Sequence, residues 1–104
     1  MPTMNTNPDH AIFSAIARWH ELWRAIEELP DHNPRADELA RQAMDIEWDV
    51  AESVPLTIRG YEAKRDAIVL FEFDAENFHE FVFQLGVDAG RLGVDCEMPD
   101  RAPR

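Results

Sequence analysis

Apolar residues recur at helical spacing in four consecutive stretches, and each of the four opens on a recognisable helix start signal. A chain so patterned buries one stripe per helix against its neighbours and leaves little sequence over for anything else. The pattern predicts an all-α fold: an antiparallel helical hairpin extended to a small bundle of about four helices.

The first helix is expected over about 8–29. Asn7 suits the N-cap and Pro8 the first helical position, and Asp9 complements the positive end of the helix dipole. Ile12, Ile16, Trp19, Trp23 and Ile26 recur at spacings of four and three, with Phe13, Leu22 and Leu29 widening the stripe. Asn33-Pro34 repeats the start signal, so a second helix is expected over 34 to 52 or 53, with Leu39, Ala43, Ile46 and Val50 facing inward. The short turn between them makes the two helices an antiparallel pair. Pro55 stops the second helix and Thr57 caps a third, expected over 58–73. Its stretch Ala67-Ile68-Val69-Leu70-Phe71 would also suit a buried strand, but the capped start leads into it without a break. Gly60, in its first turn, implies the close approach of another backbone. Asp74 caps a fourth helix with Phe78, Phe81, Val82, Leu85 and Ala89 on one face, ending at Gly93 or already at Gly86. Residues 8–93 are thus expected as a single helical domain, with a disordered N-terminus at 1–7 and a flexible C-terminal tail at 94–104.

A formal net charge of −11 on 104 residues narrows the partners. It repels phosphates and anionic lipid headgroups, so direct nucleic-acid binding and membrane binding are not expected, whereas a basic protein would be attracted. The acids are not spread evenly: within 56–73, Arg59, Lys64 and Arg65 balance Glu62, Asp66 and Glu72. That neutral segment suits a place between acidic neighbours. Cys96 is the sole cysteine, which precludes an intrachain disulfide, and the first residues lack the pattern of a secretory signal; a reducing cytoplasm is the expected location.

The chemistry-bearing residues make no catalytic constellation. Glu76 and His79 have the Glu-x-x-His spacing that places two ligands on one helix face in di-iron bundles, the basis for an alternative reading as a small metal-binding bundle or enzyme. Ligands from other helices would have to come from Glu21, Glu27 or Glu47 at the expense of polar-face positions. His10, His20 and His32 are scattered, with His20 expected half-buried beside Trp19 and Trp23. There is no phosphate-binding glycine loop and no nucleophile elbow. No catalytic residue, metal site or cofactor is expected, and a non-enzymatic role is.

The aromatic residues exceed what four narrow stripes can hide. Trp19, Trp23, Trp48, Phe73 and Phe83 are the candidate partner contacts, and pairing of two hairpins in a homodimer would cover a second stripe. The expected role is a non-enzymatic acidic protein-interaction module that binds itself or a basic protein. A further alternative is an acidic inhibitor in which Asp37, Glu38, Asp45, Glu47 and Asp49 imitate a row of phosphates in the groove of a basic protein.

The segment Pro55-Leu56-Thr57-Ile58-Arg59-Gly60-Tyr61-Glu62-Ala63-Lys64 resembles a group of small uncharacterised bacterial proteins, often found among prophage and other mobile-element genes. They combine an aromatic-containing first helix, an acidic Ala-rich second helix, a proline-bearing turn and a Thr-Leu-Ala-Gly-like start to a third helix carrying Ala-Lys. Thr57, Gly60, Ala63 and Lys64 fit, Ile58 and Arg59 depart, and the likeness covers about residues 9–75. The resemblance implies a mobile-element accessory role and transfers no site residue.

Overall fold

A computed structural model describes residues 8–95, which form four α-helices and, among these residues, no strand. They are α1 (His10–Glu27), α2 (Pro34–Glu52), α3 (Ile58–Leu70) and α4 (Ala75–Leu92). The all-α bundle follows from the sequence pattern.

α1 and α2 form the antiparallel hairpin. Leu22 packs with Leu39 and Ala43 near the turn, and further along Trp19 Nε1 donates to Glu47 Oε2 at 2.9 Å. Asn33 caps α2 by accepting from the Arg35 N–H at 2.8 Å, with Pro34 at the first position, where its missing donor costs nothing. α1 is shorter at both ends than the expected span of about 8–29. Its N-cap is Asp9, whose side chain makes no capping hydrogen bond and is engaged with residues 56 and 57 instead. Asn7 lies outside the described residues.

α3, which lies within the charge-neutral segment 56–73, packs against each of the other three helices. Asp9 meets residues 56 and 57 while Trp19 meets Phe71, so α1 and α3 run in the same direction. The ambiguous stretch 67–71 is helix through Leu70, where it stops three residues earlier than expected. Glu72 adopts a left-handed conformation (φ 58°), which breaks the helix and turns Phe71 and Phe73 into the interior. Asp74 caps α4 through the Asn77 N–H at 2.9 Å. α4 continues past Gly86 to Gly93, whose φ of 75° closes the helix; the next N–H, of Val94, reaches back to Ala89 O at 2.9 Å. Val94, placed by sequence in the tail, therefore packs on the core. The N-terminal segment 1–7 and residues 96–104, with Cys96, lie outside the described residues.

The interior has two parts. A small cluster of Leu22, Leu39 and Ala43 sits near the first turn, and a larger one gathers Val50, Ala51, Tyr61, Ala67, Ile68, Phe71, Phe81 and Leu85; Trp19 and Ile46 pack against both. Ile68 and Leu85 are fully buried, each worth roughly 1.5–3 kcal/mol relative to exposure. The aromatic rings form a chain from Trp23 through Trp19, Phe71 and Phe73 to Phe81, with centroids 4.8–6.3 Å apart.

Candidate functional site

Two regions carry residues that simple burial does not explain. The first is a polar corner where the 53–57 connection meets the starts of α1 and α3 and the end of α4. Asp9, 2 % exposed, accepts from the Leu56 N–H (2.8 Å), the Thr57 N–H (2.8 Å) and the Thr57 hydroxyl (2.6 Å). Thr57 Oγ1 in turn accepts from the Gly60 N–H at 3.0 Å, capping α3. Burial by itself would raise the Asp9 pKa, but the three hydrogen bonds and the nearby Arg91 charge outweigh it and hold the carboxyl below its ordinary value. Gly60 is required because a Cβ there would overlap the Asp9 carboxylate. The close approach read from Gly60 is thus real, but the approaching group is a side chain.

On the other side of the connection, Lys64, 2 % exposed, donates to Ser53 O at 2.6 Å and to Asp88 Oδ2 at 2.9 Å. Arg91 Nη2 bridges Asp88 Oδ1 (3.2 Å) and Pro55 O (2.8 Å). Asp9 and Asp88 thereby tie four chain segments together. Both hydrogen bonds of Lys64 point into the protein, and the corner fastens the connection rather than presenting a reactive group.

The second region is the outward side of α4. Phe81, Leu85, Asp88 and Ala89 face inward, and Phe83 and Val87, one helical turn apart, stand on the opposite side, 68 % and 50 % exposed. Gly86 and Gly90 lie between and beside them, with nothing within 4 Å of an added Cβ. Glu76 and Glu80 are exposed in the N-terminal half of the helix. Met44 on α2, Leu70 on α3, and Val54, Leu56 and Ile58 around the connection are also exposed.

The five contact residues expected from sequence separate accordingly. Phe83 is exposed. Trp48 is 39 % exposed, but its ring packs edge-on against Phe73 and Phe81 at 5.5 and 5.4 Å. Phe73 is buried, because the left-handed turn at Glu72 brings it inward although it falls off the helical stripes. Trp19 is half-buried, with its indole N–H held by Glu47. Trp23 packs on the smaller cluster, its Nε1 buried with no hydrogen-bond partner among the described residues. His20, expected half-buried, is exposed, its ring edge-on to Trp19 at 5.0 Å.

Glu76 and His79 are both exposed, and among the described residues no group of three or more His, Cys, Asp or Glu is placed to hold a metal ion. In the acidic row of α2, Asp37, Glu38, Asp45 and Asp49 are exposed, but Glu47 turns toward α1. Its pKa is raised by burial, which the hydrogen bond from Trp19 only partly offsets. Val87 and the buried ions of the corner were not singled out by sequence. Val87 was legible from its spacing to Phe83, and Lys64 from its place between Tyr61 and Ile68 on the inward side of α3. No helix among the described residues is long and apolar enough to cross a membrane.

The chain matches no protein-family model, no curated protein and no solved structure.

Proposed function

We propose that the chain is a non-enzymatic protein-interaction module whose contact surface is the outward face of α4. The supporting observation is the pair Phe83 and Val87, large apolar side chains held in water on a helix whose opposite side already fills the core. Apolar groups clustered on an otherwise acidic exterior gain by being covered, roughly 25 cal/mol per Å² removed from water. The polar corner supports the same reading, because it fixes α4 against the connection and so presents a rigid face. The resemblance to mobile-element proteins supports an accessory role in a bacterium or phage, and the single cysteine suits the cytoplasm.

The test is a photo-crosslinking amino acid placed at position 83, with position 28, exposed just beyond α1, as control. In cells that make the protein, position 83 is expected to yield discrete protein adducts and position 28 none. No adduct from position 83, or the same adducts from both positions, overturns the reading.

A further inference from the structure

We infer that the occupant of this face is a second copy of the chain, docked with the two α4 helices antiparallel about a two-fold axis close to Gly86 and Val87. The inference rests on the interaction reading above and names its partner.

The face is self-complementary in shape. Phe83 and Val87 form a ridge, and Gly86 and Gly90 leave a hollow beside it with no neighbour within 4 Å of a Cβ. In antiparallel register, Phe83 of each copy lies over Gly90 of the other, and the two Val87 side chains settle beside the opposing Gly86 backbones. Close helix approach of this kind needs side-chain-free positions on the facing surfaces.

The charges favour the same direction. Glu76 and Glu80 lie in the N-terminal half, and Arg91 lies in the last turn on the same flank as Glu80. Antiparallel docking brings Glu80 of each copy toward Arg91 of the other, whereas parallel docking would gather Glu76 and Glu80 of both copies at one end. Both bonds of Arg91 use Nη2 and its side chain is 39 % exposed, so the guanidinium keeps donors for a second carboxylate. A two-fold axis makes each such pairing twice.

The test is the solution mass of the purified chain, with site-specific cross-linking. The mass is expected at twice the 12.0 kDa of one chain, falling to one chain in Phe83→Asp with an unchanged helical spectrum. In a Cys96→Ser background, Gly86→Cys is expected to form an interchain disulfide readily, and Gly90→Cys several-fold less. At 1.5 Å per residue the two copies of position 90 stand roughly 10 Å apart along the helices, beyond disulfide reach. A single-chain mass at all concentrations, a dimer indifferent to Phe83→Asp, or equal cross-linking from both positions overturns the inference. A single-chain mass together with photo-adducts to a different protein removes the second copy and leaves the interaction reading standing. The absence of any adduct removes both.

Discussion

The corner around Asp9 and Lys64 and the outward face of α4 invert the usual distribution of residues. At the corner, two carboxylates and a lysine are withdrawn from water, and the protein replaces their hydration bond by bond. On α4, a phenylalanine and a valine are left in water with none of the described residues covering them. Burying a charge costs several kcal/mol unless it is paired, and exposing a large apolar side chain forfeits about as much as burying it would give. The difference lies in what completes each region. The corner is closed by its own chain and functions as a fastener. The α4 face is closed by none of the described residues, and it is on that ground that we propose it as a docking surface.

The contrast breaks most visibly at Lys64. Lys64→Met leaves the Asp88 carboxylate buried with Arg91 as its remaining cation, and is expected to cost roughly 3–5 kcal/mol in urea unfolding. Adding Asp88→Leu should recover much of that loss, because removing both charges is far cheaper than stranding one. If Lys64→Met unfolds like the parent, the corner is not the fastener described.

Asp9→Asn is expected to cost about 1.5–3 kcal/mol, since a neutral amide cannot accept all three hydrogen bonds. The acid limb of stability should change with it. The folded carboxyl titrates below its unfolded value, so its contribution is complete above the ordinary aspartate range and is lost as pH falls through the lowered value. Unfolding midpoints measured from neutral pH downward should therefore fall more steeply for the parent than for Asp9→Asn, and parallel curves would remove Asp9 from the account.

The smallest effect is a change of sign between two glycines. Gly60→Ala is expected to destabilise by about 1–3 kcal/mol, because the methyl group displaces the Asp9 carboxylate. Gly90→Ala, measured in Phe83→Asp to exclude self-association, is expected to stabilise by up to about 1 kcal/mol through helix propensity alone. Melting temperatures that move in the same direction would contradict the difference in packing.

Much of this was legible in the chain. The stripes of α1, α2 and α4 announce themselves through their period, and Asn33, Thr57 and Asp74 cap the helices they were expected to cap. The end of α3 was not legible, because a glutamate rather than a glycine takes the left-handed position at 72. For the same reason Phe73 looked surplus: its burial depends on a turn and not on a helical stripe. Asp9 suits a helix start in its own right, and nothing local says that its carboxylate serves a strand of backbone 47 residues away. Lys64 and Asp88 sit at inward positions of their helices, so the geometry of the ion pair was present in the spacing. What hid it was the assumption that inward positions hold apolar residues.

The tether from the start of α1 to residues 56 and 57 also orders events during synthesis. Leu22, Leu39 and Ala43 can meet as soon as the first hairpin has left the ribosome, but the carboxylate at position 9 has none of its hydrogen-bond donors until Leu56 and Thr57 have emerged. The start of α1, made before the other three helices, is therefore among the last parts of the bundle to lock, and a change that perturbs residue 9 acts on how the third helix is seated rather than on the first.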